Sequence, residues 1–194
     1  MITQTFKDIY TEELAQGAIL NEEFTGFKED YLVLHCLLRK HRKVLNTFLE
    51  IGTNMGTGTR IIKNAIPHAN VFSLDLPTEL AHTSLQHPIS EGKGDNVGSK
   101  CDLPFTQLRG DSMTFNYKVV YPIDGWFIDG EHDYLHPNHE AKQAIESKAK
   151  LIIFHDADIV QVYNGITDAF QMQGDEKYDL YRVIDTRILY ALKR

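Results

Sequence analysis

Short apolar runs alternate with helical patterns along most of this 194-residue chain. The runs that predict buried strands lie at 44–51, 71–74, 105–108, 121–129 and 151–154. Between and after them, apolar residues recur at helical spacing within 61–66, 138–148 and 159–172, which predicts amphipathic helices. Strands that alternate with helices form a mostly parallel sheet with helices on both faces.

The end of the chain carries a different pattern. Residues 178–184 and 187–192 predict two more strands, which are joined only by Asp185 and Thr186. A link of two residues suits an antiparallel hairpin and is too short for a parallel crossover. The sequence therefore predicts an α/β fold, with a Rossmann-like, seven-stranded, mostly parallel sheet that includes an antiparallel C-terminal hairpin.

Two segments lie outside this alternation. Residues 1–43 show apolar stripes at helical spacing, which predicts an N-terminal helical segment that covers the sheet or forms a lid, ahead of a main domain at 44–194. The stretch 79–100 contains three glycines and only one short helical pattern, at 80–86. Connections of this length are usually functional or disordered, so we expect a mobile flap near the active site.

A glycine-rich turn follows the first predicted strand in the stretch TFLEIGTNMGTGT, residues 47–59. Its glycines, Gly52, Gly56 and Gly58, follow the order G-x-x-x-G-x-G. This order is neither the phosphate-binding P-loop, which needs a Lys, nor the GxGxxG of dinucleotide sites. Glu50 stands two residues before the first glycine. A carboxylate there repels a pyrophosphate and suits a cation, such as the ammonium and sulfonium groups of S-adenosylmethionine (SAM).

The second predicted strand ends at Asp75, 23 residues beyond Gly52. In folds of this kind, a carboxylate at about this distance binds the ribose hydroxyls of a nucleoside cofactor. Because NAD and SAM both contain ribose, Asp75 does not separate them. An NAD-dependent oxidoreductase therefore stays open as an alternative at this point.

The net charge, the cysteine count and the lengths of the apolar runs limit the classes of partner and the cellular compartment that we expect. The formal net charge is −7 and the pI is about 5.7, which argues against nucleic acid and anionic membranes as partners. Cys36 and Cys101 form neither a disulfide framework nor a CxxC pair, as expected in a reducing compartment. The N-terminus has no apolar core of a signal peptide, and no apolar run is long enough to span a membrane. We expect a cytoplasmic protein.

Acidic and imidazole side chains follow the fourth and fifth predicted strands. Asp129 and His132 come at and after the end of 121–129, and Asp156 follows 151–154. Because ligands in such sheets bind outside the carboxyl ends of the strands, these side chains are expected at the same edge as the glycine turn. This edge is the predicted active site.

The segments LEIGTNMGTGT, SLDLP, QLRGDSMTF, IDGWFIDGEHDY and LIIFHDAD together resemble the class I SAM-dependent methyltransferases. The similarity is to the small O-methyltransferases of the catechol and macrolide-sugar type, methyltransferase family 24, and it covers about residues 30–194. It implies a SAM-dependent methyltransferase domain at 44–194, with the methionine part of SAM near the glycine turn, the ribose on Asp75 and the adenine by Asp111 and Ser112. The cofactor-binding residues that it implies are Glu50, Gly52, Thr53, Gly56, Asp75, Asp111, Ser112 and Asp129.

The resemblance also implies a mechanism. Asp129 and Asp156 stand where metal-dependent relatives bind Mg²⁺. There the metal would hold two neighbouring oxygens of a small-molecule or sugar hydroxyl acceptor and lower the pKa of one hydroxyl. His132 stands where macrolide-sugar relatives carry their general base, and Asp129 shares the catalytic role. After Asp156 this chain has Ala157, where relatives supply an Asn or Asp ligand, so the metal requirement stays open. A non-catalytic SAM-binding protein, the acceptor's identity and a homo-oligomer stay open as well.

Overall fold

The structure is a computed structural model that describes residues 1–19, 28–77, 96–174 and 176–194. The helix predicted at 80–86 lies outside the described residues. Of the predicted flap at 79–100, only residues 96–100 are described.

An eight-stranded sheet forms the centre of the molecule, in the order β1-β7-β8-β6-β5-β2-β3-β4. The strands are β1 (Ile2–Thr5), β2 (Thr47–Ile51), β3 (Asn70–Asp75), β4 (Thr106–Arg109), β5 (Gly125–Ile128), β6 (Leu151–Phe154), β7 (Tyr178–Ile184) and β8 (Leu189–Lys193). Only β8 runs antiparallel to its neighbours, β6 and β7. The predicted Rossmann-like, mostly parallel sheet with an antiparallel C-terminal hairpin is therefore confirmed.

The sheet differs from the prediction at its edge. The eighth strand is β1, which pairs in parallel with β7, so that Ile2 lies opposite Tyr181 and Thr5 opposite Ile184. Its sequence, ITQT, is exposed except for a half-buried Gln4, and therefore has no apolar pattern by which a strand could be predicted. The N-terminal segment is thus not wholly helical.

Helices cover both faces of the sheet, as predicted. They are α1 (Phe6–Ile9), α2 (Glu12–Ala15), α3 (Lys28–His41), α4 (Thr57–Ala65), α5 (Leu135–Glu146) and α6 (Val160–Gln173), with 3₁₀ turns at Arg42–Val44 and Tyr117–Val120. Helix α3 packs on α4, and α5 packs on α6. Trp126 and Ile128 of β5 belong to the core under α5 and α6, whereas Phe127 belongs to the core under α3 and α4.

Helix α3 covers the sheet through Val33, Leu34, Leu37 and Leu38, all of which are buried. Burying one such side chain contributes about 1.5–3 kcal/mol, so this contact ties the N-terminal segment firmly to the sheet. The division of the chain at residue 43 and a lid function stay predictions. Among the described helices, none is both long and apolar enough to cross a bilayer.

Candidate active site

The glycine turn lies against the end of β5. Gly52 has a φ of +91°, and a Cβ at this position would lie 2.0 Å from the carbonyl oxygen of Asp129. Gly56 has a φ of +89°, and a Cβ there would lie 2.8 Å from the Cα of Gly98. Both positions therefore need glycine for backbone conformation and for space. The turn is fixed between the end of β5 and the described residues after 95.

Glu50 lies on β2 beneath this turn and is 1% exposed. Its Oε2 accepts hydrogen bonds of 2.5 Å from the hydroxyls of Thr59 and Ser73. Its Oε1 is buried and has no hydrogen-bond partner among the described residues. Burial raises the pKa of Glu50 to about 8. In this state the carboxyl group is mostly protonated at neutral pH, and a nearby cation would favour its ionised form.

Thr53 is connected to Glu50 through the hydroxyl of Ser73. The Gln107 side-chain amide donates to the Thr53 hydroxyl at 2.9 Å, and the hydroxyls of Thr53 and Ser73 are 2.7 Å apart. Because Ser73 donates its only hydroxyl hydrogen to Glu50, Thr53 must donate to Ser73. The buried Thr53 side chain therefore belongs to the hydrogen-bond chain behind Glu50.

Asp75 and the loop after β4 lie beside the turn. The carboxylate of Asp75 accepts backbone N–H bonds of 2.7 Å from Asn54 and Leu76, and burial raises its pKa. The backbone N–H of Gly110 donates to the Asp75 carbonyl at 3.0 Å, which brings the Asp111 loop next to β3. The predicted ribose and adenine residues are therefore neighbours.

The adenine-side candidates have well-defined local partners. The Asp111 side chain accepts the backbone N–H of Met113 at 2.9 Å. Ser112 is buried, and its carbonyl accepts the Tyr117 hydroxyl at 2.8 Å. This loop is therefore held in place by its own hydrogen bonds.

Sequence reasoning missed Glu140, which lies in α5 and is 1% exposed. Neither of its carboxylate oxygens has a hydrogen bond among the described residues. Burial raises its pKa to about 7, and the nearby Ser112 hydroxyl opposes this shift. The available signal was its helical position beside Ala141 and Ala144, which places a carboxylate on the buried face of α5.

The residues predicted at the ends of β5 and β6 come together. The His132 Nε2 lies 2.8 Å from the Asp156 Oδ2, and Asp129, His132 and Asp156 each offer a possible metal-ligand atom within 4.8 Å of the others. His155 joins them: its Nδ1 is 3.0 Å from the Asp129 Oδ1 and 3.2 Å from the Asp156 Oδ2. Consecutive residues of an extended strand face opposite ways, but Asp156 has a φ of +50°, so both it and His155 reach this group.

Two further members come from distant parts of the chain. Asp30, in the first turn of α3, has its Oδ2 3.2 Å from the His155 Nε2, and its Oδ1 accepts the backbone N–H of Arg187 at 3.0 Å. The Arg187 guanidinium donates to the Asp156 Oδ1 at 3.0 Å. We call the set of Asp30, Asp129, His132, His155, Asp156 and Arg187 the imidazole–carboxylate cluster.

Charges within the cluster stabilise one another. The hydrogen bond to Asp156 raises the pKa of His132 above its ordinary value, although burial opposes this. Burial alone would raise the pKa of Asp156, but hydrogen bonds from His132 and His155 outweigh it and hold that pKa well below its usual range. Burial would lower the pKa of His155, but Asp129, Asp156 and Asp30 together hold it far above the ordinary value.

The cluster has the spacing of a metal site, with Asp129, His132 and Asp156 close enough to share an ion. Its carboxylate oxygens, however, already accept hydrogen bonds from neighbouring side chains. Asp129 accepts from His155, while Asp156 accepts from His132, His155 and Arg187. A divalent cation would have to displace these hydrogen bonds and lie beside like charges. In this arrangement the cluster does not fit a metal ion.

Comparisons with known proteins identify the fold. No protein-family model and no curated protein matches the chain, but solved structures do. The methyltransferase MycE of mycinamycin biosynthesis, in complex with Mg, S-adenosylhomocysteine (SAH) and mycinamycin VI, aligns with a TM-score of 0.55 at 16% identity, over 81% of this chain and 47% of MycE. This chain therefore spans about half the length of MycE.

Two shorter proteins align over most of both chains. The O-methyltransferase TomG of Streptomyces achromogenes, in complex with SAM, gives a TM-score of 0.53 at 16% identity, over 95% of this chain and 90% of TomG. An O-methyltransferase from Bacillus cereus, in complex with SAH, gives a TM-score of 0.52 at 14% identity, over 92% of this chain and 84% of the Bacillus protein. At these identities the likeness establishes the fold alone, which this chain shares with these three methyltransferases.

Proposed function

We propose that this protein transfers a methyl group from SAM to a hydroxyl of a small-molecule or sugar acceptor, with His132 as the general base. The observation that carries the proposal is the His132–Asp156 pair, 2.8 Å apart, at the sheet edge that also bears the glycine turn. A base beside a cofactor turn is what methyl transfer to a weakly acidic hydroxyl requires.

The residues around the glycine turn favour SAM over a phosphorylated nucleotide as the cofactor. The buried Glu50 has no ion-pair partner among the described residues, and a positively charged ligand would compensate it. In this proposal Glu50, Gly52, Thr53 and Gly56 surround the methionine part, and Asp75 binds the ribose. Asp111 and Ser112 bind the adenine, and Asp129 closes the cofactor site at the end of β5, where Gly52 contacts its backbone.

The proposed reaction balances without another reactant. The acceptor oxygen attacks the methyl carbon, the carbon–sulfur bond breaks, and SAH leaves as a neutral thioether. His132 takes the hydroxyl proton. With its Nε2–H bonded to Asp156, the neutral ring has its lone pair on Nδ1, and Asp156 stabilises the imidazolium that forms. A positioned base of this kind contributes about 10²–10⁴-fold to the rate.

The proposed class of acceptor is also inferred from His132. A histidine base suits hydroxyls, and the MycE structure holds the small molecule mycinamycin VI. No step of this proposal passes through a metal ion. The acidic net charge and the free thiols of Cys36 and Cys101 support a cytoplasmic location and partners other than nucleic acid, and a homo-oligomer is compatible with the proposal.

A direct test incubates the full chain with methyl-labelled SAM and a panel of macrolide glycosides, catechols and simple sugars, with mass spectrometry of the products. We expect one panel class to gain a single methyl group and SAH to accumulate in equal amount. Tight SAH binding without methylation of any acceptor would instead indicate a non-catalytic SAM-binding protein. Stabilisation by NADH and not by SAH would indicate an oxidoreductase.

A further inference from the structure

His155 lies in the middle of the imidazole–carboxylate cluster and is buried. One ring nitrogen faces the carboxylates of Asp129 and Asp156, and the other faces Asp30. Ionised carboxylates only accept hydrogen bonds, so both ring nitrogens must carry hydrogen for these contacts to form. The contacts therefore describe an imidazolium, and its positive charge follows from the geometry.

The imidazolium occupies the position that a metal ion would need. A cation that bridged Asp129 and Asp156 would have to coordinate the same oxygens that accept the His155 Nδ1–H. It would also lie close to Arg187, which donates to the other oxygen of Asp156. Like charges at such distances repel strongly in a buried site.

We infer that His155 supplies, from within the chain, the positive charge that a bound metal ion would otherwise supply between Asp129 and Asp156. The two strand-end carboxylates are held together by a fixed imidazolium, and the cluster needs no divalent cation to be complete. Buried charges are tolerated when they are paired and hydrogen-bonded, and every carboxylate of the cluster meets this condition.

Asp30 is the residue that locks the imidazolium in place. It is buried, and its two oxygens serve different partners, the His155 ring and the Arg187 backbone. These partners lie 125 and 157 residues along the chain. The first turn of α3 therefore fixes both the end of β6 and the link between β7 and β8. The N-terminal segment is thus part of the site as well as a cover of the sheet.

Manganese binding tests the inference without any methyl acceptor. Chelator-treated full-length protein is titrated with MnCl₂, and free Mn²⁺ is followed by electron paramagnetic resonance. Wild type should bind no stoichiometric Mn²⁺ up to about 1 mM, the weak end of divalent protein sites. His155→Ala should gain Mn²⁺ affinity by at least ~10-fold, because the carboxylate pair loses its internal cation. His155→Asn is the second variant should the alanine protein not fold.

The matched control is His136→Ala, which removes an imidazole bonded to Asp133 outside the cluster and should gain no affinity. The gain in the His155 variant should disappear when Asp129→Asn is added. Stoichiometric Mn²⁺ binding by wild type that Asp129→Asn abolishes would overturn the inference. A folded His155 variant without the gain would overturn it as well.

A second arm rests on the proposed function. Methyl transfer by wild type should be unchanged by a chelator, and loss in the chelator with recovery in Mg²⁺ would contradict the internal cation. The two arms fail separately. Absence of methyl transfer removes only this second arm, whereas the Mn²⁺ titration judges the cluster by itself.

Discussion

The carboxylates at the carboxyl edge of the sheet form two groups that differ in what compensates them. At the ends of β5 and β6, Asp129 and Asp156 accept hydrogen bonds from the His155 imidazolium and the Arg187 guanidinium. Under the glycine turn and in α5, Glu50 and Glu140 are equally buried but have no ion-pair partner among the described residues. The pKa of Asp156 is accordingly lowered, while the pKa values of Glu50 and Glu140 are raised to about 8 and about 7.

The two regions therefore differ in the charge of the ligand that would stabilise them. The imidazole–carboxylate cluster is complete as it stands and has little need of a further cation. The glycine-turn side carries acidic groups that would ionise only beside a positive charge. SAM, which brings an ammonium and a sulfonium, would complete that side and present its methyl group to the other.

The largest expected effect belongs to the cluster. His132→Ala should lower methyl transfer by about 10²–10⁴-fold and leave SAH binding nearly unchanged, because the proposed function assigns His132 to the acceptor and not to the cofactor. Steady-state assays and calorimetry with SAH separate the two effects. His136→Ala, four residues along the chain, is the control and should retain full turnover. Equal rates for His132→Ala and wild type would remove His132 from the mechanism.

A stability prediction follows from Glu140. Its pKa is 4.5 in the unfolded chain and about 7 in the fold, so stability is fully present below pH 4.5 and falls as the pH rises to about 7. Above that pH the loss is constant, at about 3 kcal/mol. Glu140→Gln cannot ionise and should be more stable than wild type at pH 8, by up to about that amount. The pKa of Glu50 is raised as well, so the stability of Glu140→Gln should still fall somewhat as the pH rises.

Urea unfolding between pH 4 and pH 8 measures this directly. The two proteins should converge at the acidic end and separate as the pH rises. A stability difference between the two proteins that stays constant across this range would mean that Glu140 is compensated in solution, and the contrast between the two regions would then be lost at α5.

A third prediction concerns the charge of Glu50 and its effect on the binding of SAM and SAH. Glu50→Gln should weaken SAM binding by about 1.5–3 kcal/mol, the worth of a charge-assisted interaction, and weaken the binding of SAH, which lacks the sulfonium, by less. Titrations with both ligands give the ratio, and Glu29→Gln, an exposed acid of α3, is the control. An equal loss for the two ligands would show that Glu50 acts on shape or stability and not on charge.

Local patterns predicted the elements that carry the site. Apolar runs in the sequence predict strands β2, β3, β5 and β6. The polar candidate residues, such as Glu50 and Asp156, lie in these strands or directly after them. These signals lie within one strand–turn–helix unit and need no knowledge of distant residues. The convergence of Asp129, His132 and Asp156 was predicted from the rule that the carboxyl ends of parallel strands lie at one edge of the sheet.

Long-range partners could not be predicted in this way. Asp30 looks like any acid in the first turn of a helix, and only the fold brings it to His155. Arg187 was predicted as the start of a strand, but β8 begins at Leu189, because Asp185 adopts a φ of +64° and the Thr186 hydroxyl accepts the backbone N–H of Ile188. The two-residue link thereby becomes four residues long and delivers Arg187 to the cluster.

Calorimetric titration of the purified full chain with SAM, beside a parallel titration with NADH, distinguishes a site for a cationic nucleoside from a dinucleotide site. We expect saturable one-to-one binding of SAM, accompanied at pH 7 by proton release as Glu50 ionises, and no heat with NADH. Proton release shows as a dependence of the measured heat on the buffer's ionisation enthalpy. The absence of heat with both SAM and SAH would contradict the claim that the glycine turn and its buried carboxylate form a site for a cationic nucleoside.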